Sequence, residues 1–279
     1  MYKFLLISVM LFSVNISQVA ADHWGKPKLN GPGPWDQNIS VFKIKGTEFK
    51  IKNNGKPLVM QAGVSSLIEY KNKLRAYFQW LPTKKSLQSS FDHIAFVELN
   101  AGIWSEPMVI EIPYKRREQY PFDPTVVNLE DGSIRMFFTS LSKTGTYIGS
   151  ARSTDGIDFL IERGTRLEDE KYDLRDCAVI YFKEKWHMII PNHRGNGKGL
   201  YATSTNGLDF VKQTDISIKI RGDWLGNMTL VNNKVYFFGT GFIASTSNFK
   251  EWNLVSRHML QDPAVLMSGD DAYILSTTR

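Results

Sequence analysis

The chain has 279 residues, 42% of them hydrophobic and 22% charged, so it can bury a large core and is expected to form one β-rich domain. Its formal net charge of +6 favours acidic surfaces or partners, but the basic residues are scattered. The one tight basic cluster, residues 115–117, is interpreted as a solvated loop, so nucleic acid is not an expected partner. A single cysteine, Cys177, excludes an intrachain disulfide.

Residues 1–21 have the pattern of a secretory signal peptide. Lys3 provides a positive start, FLLISVMLFSV is an apolar segment too short to span a bilayer comfortably, and small residues follow it up to Ala21. We expect cleavage after Ala21, which leaves residues 22–279 as a secreted or periplasmic protein. The alternatives are a membrane anchor or a buried first strand. No later hydrophobic stretch is long enough for a transmembrane helix, so the mature chain is not expected to insert into a membrane.

Short apolar runs then recur along the chain. After a Gly- and Pro-rich segment, SVFKIKGTEFKIK alternates apolar and polar residues around Gly46, which predicts a two-stranded edge hairpin. Five copies of a strand, turn and strand pattern follow, and their first strands read GVSSLIEY, TVVNL, AVIYF, MTLV and AVLMS. Asp131-Gly132 is the predicted hairpin turn between the first and second strands of the second copy. The copies repeat at roughly 35 to 60 residues, the spacing of propeller blades.

This pattern predicts an all-β fold, a five-bladed β-propeller. No run shows the sustained three- and four-residue spacing of an amphipathic helix. The last copy, which ends at Arg279, has room for only two strands. A closed ring does not tolerate an open seam, so we expect the N-terminal strands to complete the last blade. Residues 22–279 are therefore predicted to be a single propeller domain whose two ends pair with each other.

Aligning the copies on their second strands gives one equivalent position at the start of each innermost strand. That position holds Gly63, Asp123, Asp176, Gly226 (or Asn227 with a one-residue gap) and Asp262. The innermost strands of a propeller surround its central channel, so the three aspartates are expected to converge at one mouth of it. Clustered carboxylates are costly unless they are solvated, hydrogen-bonded or bound to a cation. The alternative is that each aspartate only caps a turn, since two of them precede proline.

Several motifs resemble a known superfamily. FDPTVV and LRDCAVIYF at the starts of the second and third copies, with ARSTDGIDF, ATSTNGLDF and ASTSNFKEW in the outer strands, are similar to the five-bladed propeller glycosidases. These include the arabinanases and β-xylosidases of glycoside hydrolase family 43, the invertases and the levansucrases. The resemblance covers nearly all of residues 40–279. It implies cleavage of glycosidic bonds by three carboxylates: a base or nucleophile from blade one, a stabilising aspartate from blade two and a glutamate acid from blade three.

The chain matches this arrangement as a divergent member. Asp123 resembles the stabilising aspartate, and Asp176 stands where the superfamily has glutamate, so its carboxyl is one methylene shorter. Gly63 departs from the pattern, and Asp262 in blade five, which flanks blade one in a ring, is expected to replace the missing carboxylate. We therefore assign Asp176 as candidate acid, Asp262 as candidate base and Asp123 as the orienting carboxylate. Neighbouring carboxylates push each other's pKa values apart, which supplies an acid and a base from similar groups.

Other residues are candidates for binding a sugar. Trp80 and Trp224 lie near strand ends at the same mouth, where aromatic rings can stack on sugars, although packing is the alternative role. His193 and Arg194 belong to the Gly-rich loop PNHRGNGKG, and Asn227 is grouped with them. This loop lacks the strand-to-helix context and the Lys-Ser/Thr ending of a phosphate-binding loop.

Two functions stay open at this point. The first is an exported glycoside hydrolase that acts on an oligo- or polysaccharide. The second is a non-catalytic carbohydrate-binding or interaction propeller derived from such an enzyme, in which the blade-one carboxylate is not needed. A sialidase fits less well, because the arginines do not fall at equivalent channel-facing positions. A carbohydrate partner, a monomer and no bound cofactor are expected; calcium is the one candidate ion for the aspartate oxygens, and no Cys/His set has zinc spacing.

Overall fold

The computed structural model describes residues 37–51, 55–81, 93–110, 112–113, 121–141, 145–192 and 196–278. These residues form 22 strands in five sheets. Within the described ranges there is no helix, and thus none that could cross a membrane. The predicted signal peptide lies outside the described residues.

Each sheet forms one blade. Blade one has β3 (Ala62–Tyr70), β4 (Lys73–Trp80), β5 (His93–Asn100), β6 (Ile103–Trp104) and β7 (Met108–Ile110). Blade two has β8 (Phe122–Asn128), β9 (Ile134–Leu141), β10 (Thr146–Ser153) and β11 (Leu160–Ile161). Blade three has β12 (Ala178–Phe182), β13 (Lys185–Pro191), β14 (Lys198–Ser204), β15 (Val211–Lys212) and β16 (Ile216–Ser217). Blade four has β17 (Asp223–Val231), β18 (Lys234–Thr240), β19 (Phe242–Thr246) and β20 (Asn253–Arg257).

Blade five joins the two ends of the described chain. Its strand order is β2 (Lys56–Met60), β1 (Asn38–Lys45), β22 (Asp271–Thr278) and β21 (Gln261–Ser268). β1 pairs with β22 along its whole length, from Asn38 opposite Thr278 to Lys45 opposite Asp271. The predictions of a five-bladed propeller and of N-terminal strands that complete the last blade are confirmed. The pairing gives β22 a partner on its outer side, so the seam has no open edge there.

The hairpin that supplies these strands differs from the expected one. The second predicted strand, TEFKIK, is not a strand where it is described; instead Phe49 is 3% exposed and packs edge-on against Phe238, with ring centroids 4.8 Å apart. The strand that pairs with β1 comes later, at Lys56–Met60. Burial of the Phe49 ring between blades four and five thus displaces this segment from the sheet.

The innermost strands β3, β8, β12, β17 and β21 close a ring, because each contacts the innermost strands of both neighbouring blades. The buried hydrophobic residues of the described ranges form five clusters, one at each interface between adjacent blades. Pairs of aromatic residues on the second strands, such as Phe137-Phe138 and Phe237-Phe238, are 0–1% exposed and send one ring into each neighbouring cluster. The pleat of a strand places successive side chains on opposite faces, which explains this division.

The outer-strand motifs form turns that connect neighbouring blades. In blade two, Ser153 Oγ accepts a hydrogen bond from the Gly156 N–H at 2.8 Å, and Asp155 Oδ1 accepts from the Ile157 N–H at 2.8 Å. The motifs of blades three and four repeat this arrangement. The turn carbonyl of Gly156 then accepts a hydrogen bond from the Tyr77 hydroxyl of blade one at 2.7 Å. These turns help to fix each blade against the preceding one.

Candidate functional site

Four innermost strands share a strained residue at their starts. Asp123, Asp176, Asp262 and Val64 have φ values of 52°, 53°, 44° and 50°, in the left-handed region that is uncommon for residues other than glycine. In blades one, two and five this residue lies at a shift in the register with the second strand. Such strain costs of order 1–3 kcal/mol per residue and often accompanies functional sites.

Val64 is therefore the blade-one equivalent of the aspartates, and the assignment of Gly63 is wrong by one residue. In blade one Ser66 pairs with Tyr77, and in blade two Thr125 pairs with Phe137, so the blade-one hairpin is one residue shorter between these pairs. Counting back from the second strands without a gap misses this difference. In blade four the equivalent residue is Gly226, with φ of 149°. Blade one still has no carboxylate at this position.

The ring brings the three predicted aspartates together. The side chains of Asp176 and Asp123 are hydrogen-bonded to each other. The pKa of Asp176 is raised to about 7, first by burial and then by the negative charge of Asp262, while the charge of Arg175 opposes the rise. These residues come from blades two, three and five, so only closure of the ring makes them neighbours.

Asp262 extends from blade five towards blade one. Its carboxylate accepts a hydrogen bond from the backbone N–H of Val64, and this bond holds down its pKa. Burial and the negative charge of Asp123 act in the opposite direction, in that order, and the net pKa is about 7. Asp262 is thus hydrogen-bonded to the start of β3, the innermost strand of blade one, which has no carboxylate at the equivalent position.

Two threonines hold the backbone of these aspartates. Thr139 Oγ1 on β9 accepts a hydrogen bond from the Asp176 N–H at 3.3 Å, and Thr240 Oγ1 on β18 accepts one from the Asp262 N–H at 3.0 Å. In both cases the threonine belongs to the blade that precedes the aspartate. The bonds satisfy backbone groups that the left-handed turn removes from the sheet ladder, and they support the strained conformation.

Asp176 connects the cluster to solvent. It lines a cleft of about 500 Å³ formed by blade three and the segment that leads into it, together with Arg175, Tyr172, Asp173, Lys171 and Asn192. A cleft of this size is within the range of small-ligand sites. The chemistry that the site can support is proton transfer to or from a ligand in this cleft, since the Asp176 carboxyl has a pKa near 7 and direct access to it.

The structure adds a fourth carboxylate that the sequence comparison missed. Asp223, at the start of β17, contributes a negative charge that raises the pKa of Asp176. It lies three residues before Gly226, the equivalent position of blade four, so alignment on that position could not identify it. Burial and the charges of Asp176 and Asp123 also raise the pKa of the Cys177 thiol, which keeps it protonated.

The predicted sugar-stacking role of Trp224 is corrected by the structure. Trp224 is 0% exposed, donates a hydrogen bond from Nε1 to the Gly197 carbonyl oxygen at 2.9 Å, and packs edge-on against Phe237, Phe242 and Trp252. A ring enclosed on all sides cannot present a face to a ligand. Trp80 is half-buried against the cluster between blades five and one, so part of its ring stays accessible and its role stays a prediction.

Asn227 is 7% exposed, and its Oδ1 accepts a hydrogen bond from the Met228 N–H at 2.7 Å. Its side chain is therefore engaged with the backbone of its own strand. His193 and Arg194 lie outside the described residues. In the part of the chain that is described, no group of three or more His, Cys, Asp or Glu side chains is arranged to hold a metal ion.

Comparisons with known proteins agree with this architecture. Neither a protein-family model nor a curated protein sequence matches the chain. Among solved structures, an α-L-arabinofuranosidase of Clostridium thermocellum superposes with a TM-score of 0.58 at 14% identity, over 76% of this chain and 80% of that one. A β-xylosidase/α-arabinofuranosidase from a compost metagenome, solved with xylotriose, gives 0.56 at 14% identity, over 78% and 90%.

The chain has the fold of the five-bladed propeller glycoside hydrolases. A GH32 β-fructofuranosidase of Bombyx mori also superposes, with a TM-score of 0.56 at 14% identity over 93% of this chain; the chain spans 60% of that enzyme's length. A mutant of the same silkworm enzyme was solved with sucrose. Identities this low establish the common fold, and the activity has to be argued from the site itself.

Proposed function

We propose that the protein is an exported glycoside hydrolase that uses Asp123, Asp176 and Asp262 as its catalytic carboxylates. The observation that carries this proposal is the convergence of three aspartates from different blades, with the Asp176 and Asp262 pKa values both near 7. Two coupled carboxyls of this kind share protons at neutral pH, so one can be protonated while the other is ionised. That is the combination that glycoside cleavage requires.

In the proposed mechanism, Asp176 is the general acid. It lines the cleft, and its proton is transferred to the glycosidic oxygen as the bond to the sugar breaks. Asp262 is the base or nucleophile on the other side of the sugar, and its ionised form is favoured by the hydrogen bond from the Val64 N–H. Asp123, hydrogen-bonded to Asp176, orients the acid and stabilises positive charge that develops on the sugar ring.

The missing blade-one carboxylate is the main argument for the second candidate. With Val64 at the equivalent position, the protein could be a carbohydrate-binding propeller without catalysis. The position of Asp262 favours the catalytic function over the binding function. Its carboxylate accepts a hydrogen bond from the Val64 N–H and therefore lies beside the start of blade one. An ionisable group is thus available where the resemblance places a base.

The test is hydrolysis by the purified protein across a panel of aryl glycosides and plant and bacterial polysaccharides. Asp123→Asn, Asp176→Asn and Asp262→Asn should each lower turnover by about 10²- to 10⁴-fold, the usual contribution of general acid–base catalysis. Asp270→Asn is the matched control, since Asp270 lies in the hairpin turn between β21 and β22. If no substrate is cleaved but some glycan raises the melting temperature, the protein is a binding propeller.

Export and oligomeric state belong to the same proposal. We expect a cleaved signal peptide, a mature N-terminus at Asp22 and a monomeric mature protein. N-terminal sequencing of protein recovered outside the cytoplasm tests the first two, and light scattering tests the third. A mature chain that still begins at Met1 would contradict export by this route.

A further inference from the structure

A second cleft, which we call the basic groove, lies between blades three and four. Its volume is about 410 Å³, and it is lined by Lys183, Lys185 and Lys250 together with His187, Tyr201 and Phe249. Lys183 belongs to the turn between β12 and β13, about seven residues along the innermost strand from Asp176. At about 3.3 Å per residue, the groove is on the order of 20 Å from the aspartates, at the opposite end of blade three. It is therefore separate from the cleft that contains Asp176.

The charge of the groove is uncompensated. All three lysines are exposed, and none of them forms an ion pair with another described residue. No acidic residue of the described part of the chain lines the groove; Glu184 and Glu251, the neighbours in sequence, are exposed and lie outside its lining. Lys183 is held in place, because its Nζ donates a hydrogen bond to the Ser247 carbonyl oxygen of blade four at 3.0 Å. A concave surface lined by one sign of charge attracts the opposite charge.

The floor of the groove is aromatic. The ring of His187 stacks on Phe249, with centroids 3.8 Å apart and an angle of 9°, and its Nδ1 is hydrogen-bonded to the Tyr201 hydroxyl at 2.6 Å. Burial lowers the pKa of His187, so the imidazole is neutral and the positive charge comes from the lysines alone. Phe249 and His187 are buried beneath the surface, so the aromatic surface that a ligand can reach is that of the half-buried Tyr201, while the rim offers ammonium groups.

We propose that the basic groove binds an anionic saccharide, a glycan whose sugars have carboxylate or sulfate groups. Aromatic surface suits the apolar CH faces of a pyranose, and ammonium groups suit isolated anionic substituents. Among the described residues the lining contains no arginine, which is the residue that suits the bidentate recognition of phosphate, so a nucleic acid is less favoured. The net charge of +6 adds a general attraction to acidic polymers. This site does not depend on the proposed activity of the aspartates.

The test is calorimetric titration of the purified protein with three hexasaccharides: oligogalacturonate, chondroitin sulfate and neutral cello-oligosaccharide. We expect at least one acidic hexasaccharide to bind and the neutral one not to bind at the same concentration. Oligogalacturonate has carboxylates alone and chondroitin sulfate has both groups, so equal or stronger binding of oligogalacturonate shows that carboxylates suffice, and stronger binding of chondroitin sulfate indicates a contribution from sulfate. An oligonucleotide is titrated in the same way. No binding by either acidic hexasaccharide, or tighter binding by the oligonucleotide than by both, would overturn the proposal.

Variants assign the binding to the groove. Combined Lys→Gln changes at Lys183, Lys185 and Lys250 should weaken binding by about tenfold or more, since each exposed charge contact contributes a few-fold. Lys→Arg changes at the same positions should retain it. The matched control is the Lys→Gln triple at the exposed residues Lys45, Lys56 and Lys219, which removes the same charge elsewhere. Equal weakening by this control, or loss of binding in Asp176→Asn, would overturn the proposal.

Discussion

The raised pKa of Asp176 predicts that this residue destabilises the folded protein at neutral and alkaline pH. Between about pH 4 and pH 7 the folded state keeps a proton on Asp176 that the unfolded chain releases. The folded state binds more protons in this window, so the contribution of this group to stability is present at acid pH and is lost as pH rises through the folded-state pKa. Asp176→Asn removes the titration and should therefore stabilise the protein at pH 8.

The magnitude follows from the pKa. A rise of one in pKa corresponds to about 1.4 kcal/mol, so a shift from 3.8 to about 7 is on the order of 4 kcal/mol. About 3 kcal/mol of this falls between pH 5 and pH 8. For a domain of this size, 1 kcal/mol changes the melting temperature by roughly 2–4 °C. The melting temperature of Asp176→Asn should therefore rise relative to the unmodified protein by roughly 6–12 °C between these two pH values.

The comparison has to be made between the two proteins, because other groups titrate in the same range. Burial lowers the pKa values of His187 and His258, so these two residues make stability increase as pH rises through their unfolded-state value. They are common to both proteins and cancel in the difference. Asp270→Asn is the control for loss of a carboxylate at the surface.

The assay is differential scanning calorimetry at pH 5 and pH 8 on Asp176→Asn, Asp270→Asn and the unmodified protein. A constant difference between Asp176→Asn and the unmodified protein at both pH values would refute the argument, since it would mean that Asp176 titrates alike in the folded and unfolded states. The same variant should lack hydrolytic activity while being the more stable protein at pH 8. This separation distinguishes a functional carboxyl from a structural one.

Three further predictions concern the core and the groups around the aspartates. Trp224→Phe should lower the free energy of unfolding by about 2–3 kcal/mol in urea titrations, because it leaves a cavity and removes one of the two hydrogen bonds that the Gly197 carbonyl accepts, whereas Trp80→Phe should cost less. Thr240→Val should cost about 1 kcal/mol and also lower kcat, because the Asp262 N–H loses its acceptor. Cys177, which is 1% exposed and has a raised pKa, should react with a thiol reagent only at the rate of unfolding.

Each of these predictions has an outcome that would contradict it. Equal destabilisation by the two tryptophan variants would mean that the Trp224 site is no better packed than a half-buried one. An unchanged kcat in Thr240→Val, with the exposed Thr205→Val as control, would mean that the backbone bond does not position Asp262. Fast labelling of Cys177 under native conditions would contradict its burial among the aspartates.

The architecture could be predicted from the sequence because it rests on local signals. Strand periodicity, hairpin turns such as Asp131-Gly132 and the repeat of both along the chain are encoded within a few residues of each other. Because the last of the five copies has only two strands, the sequence also predicted that the N-terminal strands complete the last blade. The position of the aspartates at the starts of innermost strands followed from the same repeat.

What only the tertiary structure decided depends on contacts between blades. The register of a strand depends on its hairpin, and the blade-one hairpin, one residue shorter than that of blade two, places Val64, not Gly63, at the position of the aspartates. Trp224 is enclosed by rings of its own blade and by the Gly197 carbonyl of blade three, which no local pattern reveals. The charge of Asp223 acts on Asp176 from the adjacent blade, and the hydrogen bond from the Val64 N–H to Asp262 forms only because the ring closes. Composition and repeats thus determined the fold, whereas the protonation of the site is a property of the assembled ring.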